Sequence, residues 1–167
     1  TDVGESDEII DCCSKNGYKI IDFDDKAYPK RLKEIINPPA VLYVDGELPD
    51  IDNLVCIGMV GTRKASEYAI KAAHIMAKGI TEAGALVVSG GALGIDTYSH
   101  LGALACGGKT VAVLGNGLGN NYLKANEGLR NMIKQSGALV TEYQPNVPAN
   151  RTSFPMRNRI ISGLSLG

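Results

Sequence analysis

The segment that decides the fold is LVCIGMVGTRKAS, residues 54–66, in which a continuous apolar run ends at a glycine followed by basic and hydroxyl residues. Further apolar runs follow at residues 85–88, 110–114 and 138–141, with helical periods between them. Short apolar runs that alternate with helices are typical of buried parallel strands joined by crossover helices. The pattern predicts an α/β fold with a doubly wound, Rossmann-like, mostly parallel sheet and helices on both faces.

Two strands are predicted before this unit, at residues 19–23 and 40–44. A helical turn around Leu32, Ile35 and Ile36 separates them, and the pair Pro38-Pro39 ends that turn. These two strands, from the N-terminal part of the chain, would extend the sheet. Residues 1–16 have the apolar spacing of the end of a helix. The apolar final segment, ISGLSLG, leads us to expect that the domain is truncated at its C-terminus.

Charge and glycine are distributed unevenly along the chain. The formal net charge of -1 combines 13 acidic and 6 basic side chains in residues 1–52 with 5 acidic and 11 basic side chains in residues 53–167. Of the 20 glycines, 17 lie in the second, positive segment. We expect the acidic segment along a sheet edge away from the ligand, and the positive segment to bind a polyanion.

Several function classes are disfavoured by the residue content. No stretch approaches the roughly 18 apolar residues that span a bilayer, so we expect a cytoplasmic protein with no membrane partner. The four cysteines and two histidines have no metal-ligand spacing, and no metal site is predicted. Asp96 and His100 are interpreted as a helix cap and its i,i+4 neighbour. We predict no catalytic residue, no enzyme activity and no cofactor.

The residues that follow the predicted strands are suited to phosphate. Glycine-rich segments follow the first three strands, at residues 61–66, 89–96 and 115–119, and an arginine-rich segment, residues 151–159, follows the fourth. In such sheets ligands bind beyond the carboxyl ends of the strands, where backbone N–H groups and helix N-termini converge. Three such loops on consecutive strands predict a phosphate site. Phe154 is interpreted either as a cover for the end of the sheet or as a base-stacking platform.

Two common nucleotide motifs are disfavoured. The segment Gly107–Thr110 resembles the end of a P-loop, but Ala103 replaces its first glycine and the segment leads into a strand. The pair Gly115 and Gly117 resembles part of a dinucleotide fingerprint, but Asn120 stands where the next glycine is expected.

A set of ordered motifs resembles the DNA-processing protein A (DprA/Smf) family. The motifs are YPxxLxxIxxPPxxLYxxG at residues 28–46, VGTRxAS at 60–66, SGGALGIDTxxHxGAL at 89–104, GxTxAV at 108–113 and FPxRNRII at 154–161. The resemblance implies an extended Rossmann domain that binds single-stranded DNA without sequence preference. It also implies loading of RecA recombinase onto incoming DNA in natural transformation, and a dimer surface.

The strand exits and the resemblance together predict the DNA-binding residues. They are Gly61, Thr62, Arg63, Ser66, Ser89, Gly90, Gly94, Lys124, Arg151, Phe154, Arg157, Asn158 and Arg159. This chain departs from the family pattern at Gly91, Leu93 and the pair Tyr122-Leu123. The last departure affects the expected local shape around Lys124.

The resemblance also sets the predicted domain boundaries. Residues 1–17 are expected to be the stub of a preceding helical domain, and residues 18–167 an extended Rossmann-like DNA-binding domain that is incomplete at its C-terminus. The surface for dimers and for recombinase contact is expected beyond it. The alternative function is that of a Rossmann enzyme or sensor acting on a small phosphorylated nucleotide, for which Glu142 is the candidate acidic residue.

Overall fold

The computed structural model describes residues 3–120 and 124–167. The strands in this part of the chain are β1 Lys19–Asp22, β2 Val41–Gly46, β3 Cys56–Met59, β4 Leu86–Gly90, β5 Thr110–Val113 and β6 Ala138–Thr141. The helices are α1 Val3–Asn16, α2 Lys30–Lys33, α3 Glu67–Glu82, α4 Ile95–Ala105, α5 Glu127–Ser136 and α6 Ser153–Leu164, with a short 3-10 turn at Lys124–Asn126. No helix of the described residues is long and apolar enough to cross a membrane.

The six strands form one sheet in the order β1-β2-β6-β5-β4-β3. Strands β3 to β6 are parallel, with Val88 paired to Val111 and Val113 to Val140. The two N-terminal strands add an antiparallel extension through β2, which pairs with β6. The Rossmann-like α/β fold and its N-terminal extension are therefore confirmed. The acidic N-terminal segment supplies β1, at the opposite edge from β3, as predicted.

Helices cover both faces of the parallel strands, which explains why their sequences are continuously apolar. Val87 packs toward α3 and α4, while Ala112 and Leu139 pack against residues of α5. Val88 and Val111 point to the other face, where they join the larger core. Members of that core from α2 and α6 include Leu32, Ile160 and Leu164.

Helix α6 was not predicted, and residues 151–159 were described only as an arginine-rich segment after the fourth strand. The segment is polar at its start and contains Pro155, which disfavours a helix in its interior but is tolerated in a first turn. Asn150 caps this turn because its Oδ1 accepts hydrogen bonds from the N–H groups of Thr152 and Ser153, at 2.9 and 2.8 Å. Burial of Ile160 and Leu164 against the sheet then holds the helix in place.

Helix α6 carries the chain from β6 back across the sheet to β3. At its end, the N–H of Leu166 donates to the carbonyl of Cys56 at 2.8 Å, and the N–H of Gly58 donates to the carbonyl of Gly167 at 2.7 Å. The direction in which the chain progresses through the sheet therefore reverses at β3. Such reversals are where ligands bind in open α/β sheets.

Candidate functional site

A cavity of about 530 Å³ lies beyond the carboxyl end of β3. We call it the strand-exit cavity. The residues that line it come from the segments after β3, β4 and β6 and from the first turns of α6: Val60, Gly61, Arg63, Ala92, Asp96, Ala149, Asn150, Arg151, Phe154, Pro155, Arg157 and Asn158. Its position at the reversal of the chain is the one that the fold favours for a ligand.

The loops after β3 and β4 interlock behind this cavity. The N–H of Ile95 donates to the carbonyl of Thr62 at 3.2 Å. Gly94 adopts a φ of +80°, and a Cβ there would lie 2.2 Å from the same carbonyl oxygen. A Cβ at Gly61 would lie 2.6 Å from the Ile95 side chain. Because both glycines are required by close approach, the two loops have a fixed relative position.

Two arginines and one aromatic ring form the rim of the cavity. The Arg63 guanidinium carbon lies 4.5 Å from the centre of the Phe154 ring, in cation–π distance. The ring also lies close to the segment after β5, where a Cβ at Gly115 would lie 3.0 Å from it. Arg63 and Arg151 are exposed, whereas Phe154 is half-buried. The rim therefore combines exposed positive charge with a fixed aromatic face.

The floor contains a buried arginine and a buried aspartate, each only 4% exposed. The Arg157 Nη1 donates to the carbonyl of Val113 at the end of β5. Asp96 faces Arg157 across Gly90, since a Cβ at Gly90 would lie 2.3 Å from Asp96 Oδ2 and 2.3 Å from Arg157 Nη1. Only a residue without a side chain leaves room for both groups.

Burial shifts the pKa values of Asp96 and Arg157 in opposite directions. It raises the pKa of Asp96, while the Arg157 charge and hydrogen bonds from the backbone of Ala92 and Gly61 oppose that rise. Burial lowers the pKa of Arg157, against the attraction of Asp96 and with a further contribution from the like charge of Arg63. Three arginines and one carboxylate line the cavity, so its lining is positive when all four are ionised.

The structure brings six of the predicted DNA-binding residues to the cavity lining. They are Gly61, Arg63, Arg151, Phe154, Arg157 and Asn158. Thr62, Gly90 and Gly94 lie directly behind it and fix the backbone. Ser66 instead caps α3, where its hydroxyl accepts a hydrogen bond from the N–H of Ala69 at 3.3 Å. The hydroxyl of Ser89 is fully buried and donates to the carbonyl of Met59.

Lys124 is exposed at the start of the 3-10 turn. The turn is tied to the segment after β4 by Asn126, whose Nδ2 donates to Thr97 Oγ1 at 3.1 Å and to the carbonyl of Ala92 at 3.4 Å. Lys124 therefore lies two residues from Asn126, whose side chain is hydrogen-bonded to the segment after β4 and to α4. The unusual pair Tyr122-Leu123 lies outside the described residues.

Arg159 has a different environment from the other arginines of α6. Its Nη1 and Nη2 donate to both carboxylate oxygens of Glu142, at 2.7 and 2.6 Å, and its Nε donates to the carbonyl of Asn37 at 3.0 Å. It does not line the cavity. Glu142, the acidic candidate of the alternative function, is held in the same pair.

His100 is the i,i+4 neighbour of Asp96 on α4, but its two ring nitrogens hydrogen-bond to other residues. His100 is fully buried, with Nε2 2.9 Å from the carbonyl of Gly90 and Nδ1 2.8 Å from Thr110 Oγ1. Because a carbonyl only accepts, Nε2 carries the proton. Burial lowers the pKa of His100 to about 4, so the ring is neutral near pH 7. Its role is to brace the end of β4 from beneath the cavity floor.

Sequence reasoning missed the position of Asp96 in the cavity lining. It was assigned as the cap of α4, but Gly94 holds the cap position and Asp96 lies in the first turn. The available signal was that Asp96 is the sole acidic residue in the three glycine-rich loops. No cluster of three or more potential metal-ligating side chains occurs among residues 3–120 and 124–167.

Comparisons with known proteins identify one family. The family model described as DNA recombination-mediator protein A matches residues 19–167. The DNA processing protein DprA of Bacillus subtilis is 37% identical over 153 residues, which are 92% of this chain and 52% of that relative. The DprA of Streptococcus pneumoniae is 40% identical over 143 residues, which are 86% of this chain and 50% of that relative. The chain thus spans about half the length of these curated relatives.

Two solved structures have the same fold. The X-ray structure of DprA from Streptococcus pneumoniae superposes with a TM-score of 0.83 and 36% identity, covering 93% of this chain and 55% of that one. DNA processing protein A from Helicobacter pylori, whose structure addresses the single-stranded DNA binding mode of that protein, gives a TM-score of 0.79 and 28% identity, covering 89% and 66%.

Proposed function

Because this chain belongs to the DNA recombination-mediator protein A family, we propose that it binds single-stranded DNA without sequence preference at the strand-exit cavity and the neighbouring strand exits. Arg63 and Arg151 would contact backbone phosphates, Phe154 would stack on a base, and Lys124 would contact the strand farther along. The single-stranded DNA binding of the Helicobacter pylori protein supports this proposal.

The observation that carries the proposal is the placement of Arg63 and Phe154 at one rim. Proteins that bind single strands combine a positive groove for the backbone with aromatic faces for the bases. Every base has a face that can stack, so this combination does not select a sequence. The cavity supplies both elements on backbone that is already fixed by the interlocked loops.

A salt series tests the proposal. Affinity for an oligo-dT should fall with salt, at a log–log slope of about 0.7 per phosphate neutralised. Arg63→Ala should reduce that slope by about 0.7 and weaken binding about tenfold at low salt, because one charged contact is lost. Thermal unfolding should change little, since Arg63 is exposed.

Lys71→Ala is the matched control. Lys71 is exposed on α3 and lines a separate groove with Ile70 and Tyr98, so its removal takes away one charge without altering the cavity. Its slope should equal that of the wild type. A salt-independent affinity, or equal effects of the two substitutions, would contradict the proposed interface.

For the whole protein we propose a mediator role without catalysis, in the cytoplasm, in which the bound strand is passed to RecA recombinase. Self-association into a dimer belongs to the same proposal. A DNA-dependent RecA ATPase assay on strands covered by a single-strand binding protein tests the transfer. Stimulation by the wild type and its loss in Arg63→Ala is the expected result, and stimulation that survives loss of DNA binding would contradict it.

A further inference from the structure

We infer that the floor of the strand-exit cavity binds a terminal monoester phosphate, so that the protein prefers a phosphorylated end of a DNA strand to its interior. The inference rests on the proposed function, because it assigns a subsite within the same interface. The phosphate would face the Arg157 guanidinium while the terminal base lies against the rim.

Arg157 has hydrogen-bond donors that the described residues do not satisfy. Arg157 is 96% buried. Its Nη1 donates a hydrogen bond to the carbonyl of Val113, whereas its Nε has no hydrogen-bond partner among the described residues. A buried guanidinium with unused donors is costly, and although the charge of Asp96 offsets part of this cost, its carboxylate accepts no hydrogen bond from Arg157, so donors remain for a second anion. Phosphate oxygens match the planar fork of arginine and accept from it in a bidentate manner.

The charge of the cavity lining also favours a terminal phosphate. Arg63, Arg151 and Arg157 line the cavity with the single carboxylate of Asp96, which leaves two positive charges. A monoester phosphate carries close to two negative charges above its second pKa of about 6, whereas a phosphodiester carries one. The charge of the lining therefore matches a terminal phosphate better than an internal one.

The size of the cavity and the depth of Arg157 within it also favour a terminal phosphate. The volume of about 530 Å³ falls among small-molecule sites, which commonly hold about 300–1,000 Å³, so the cavity is suited to one nucleotide. Arg157 lies at the floor, below the stacked Arg63 and Phe154. A terminal phosphate is attached to one sugar and can reach the floor of the cavity. An internal phosphate could reach the floor only if the two sugars attached to it also entered the cavity.

Wild-type protein and oligo-dT that carries a fluorescent label on an internal nucleotide test the inference directly. Linear strands with a 5′-phosphate, with a 3′-phosphate or with neither are compared with a closed circle of the same length. At least one phosphorylated end should bind about tenfold more tightly than the unphosphorylated strand or the circle, as expected for a charged hydrogen-bonded contact. Free dTMP should compete for binding more strongly than thymidine.

The pH dependence of this preference separates a dianion from a monoanion. The ratio of the two affinities should decline between about pH 7.5 and pH 5, as the monoester gains a proton. The charged groups that face the phosphate are Arg63 after β3, Asp96 on α4, and Arg151 and Arg157 at α6. Burial raises the pKa of Asp96, and a proton gained there would strengthen phosphate binding, so a decline in the ratio reports the protonation of the monoester.

Two variants assign the preference to the floor. Arg157→Lys retains the charge but loses the fork, and should reduce the preference. The double variant Arg157→Met, Asp96→Asn removes both charges without leaving a buried carboxylate unpaired, and should abolish it. Thermal unfolding checks that each variant folds, and Lys71→Ala should keep the full preference.

The outcomes separate this inference from the proposed function. Equal affinities for the phosphorylated strand, the unphosphorylated strand and the circle would overturn the terminal-phosphate site and leave single-stranded DNA binding intact. Absence of binding to every oligonucleotide would overturn the proposed function itself. Because these comparisons use the wild type, they decide the question even if a variant fails to fold.

Discussion

Replacing Arg159 by methionine should destabilise the fold and leave DNA affinity unchanged. Arg159 and Glu142 are 19% and 18% exposed, and two hydrogen bonds of 2.7 and 2.6 Å join them. The substitution also removes the hydrogen bond to the carbonyl of Asn37. Breaking a fully buried pair costs about 3–5 kcal/mol, and partial exposure reduces that figure here to about 2–3 kcal/mol.

Urea unfolding followed by circular dichroism measures this loss. For a domain of this size, 1 kcal/mol corresponds to about 2–4 °C in Tm, so the melting temperature should fall by roughly 4–12 °C. Glu142→Gln and the double variant complete a thermodynamic cycle, whose coupling free energy should be about 1–2 kcal/mol because the two side chains are in direct contact. The salt slope for oligo-dT binding should match the wild type.

The comparison with Arg63→Ala makes this prediction refutable. If Arg159→Met reduces the salt slope by about 0.7 and leaves the free energy of unfolding unchanged, Arg159 contacts a phosphate and our reading of its pair with Glu142 is wrong. The sequence alone grouped both arginines with the DNA-binding residues. Only the structure distinguishes their expected effects.

Further predictions concern the ring, the loops and the buried histidine. Phe154→Leu should weaken oligo-dT binding by about 1–3 kcal/mol with an unchanged salt slope, since stacking is lost but no charge; a changed slope would mean that the ring acts through Arg63. Gly94→Ala should destabilise the protein in urea by clearly more than Gly84→Ala, because both residues have positive φ but only at Gly94 would the added Cβ lie 2.2 Å from a carbonyl oxygen, while at Gly84 it would meet open space; equal losses would contradict the interlocking of the loops. His100 has a pKa of about 4 in the folded state and about 6.5 when unfolded, so the unfolded state binds more protons between these values. Stability should therefore fall as the pH drops from about 6.5 to 4, by up to about 3 kcal/mol, and His100→Asn should remove this component of the pH dependence in urea titrations, whereas an unchanged dependence would place the titration elsewhere.

Much of the fold was predictable because three of the four parallel strands, β4, β5 and β6, are buried on both faces. The segment Leu86–Val88 of β4 is accordingly apolar at each position, and such runs are recognisable without further information. The strand exits were predictable because a Cβ at Gly61 would clash with the Ile95 side chain and a Cβ at Gly94 with the backbone of Thr62 and Arg63, so glycine is required at both positions. The segments that line the strand-exit cavity could thus be located by their position after the strands.

The roles of individual side chains on α6 were not predictable. Arg157 and Arg159 are two residues apart, and side chains at that spacing on a helix do not share a face. In a loop, by contrast, both could turn toward one ligand. Because the polar start and Pro155 concealed the helix, the sequence assigned to one site two arginines that lie on different sides of α6.

The interlocked loops behind the strand-exit cavity have a consequence for the thermodynamics of association. Since Gly94 and Gly61 allow the two loops to pack so closely that a Cβ at either position would clash, and the N–H of Ile95 bonds to the carbonyl of Thr62, no main-chain rearrangement is needed to admit a ligand. The entropy lost on binding would then fall mainly on the exposed Arg63 and Arg151 side chains, at about 0.5–1.5 kcal/mol each. Engineering new selectivity should accordingly alter these two side chains and preserve the glycines beneath them.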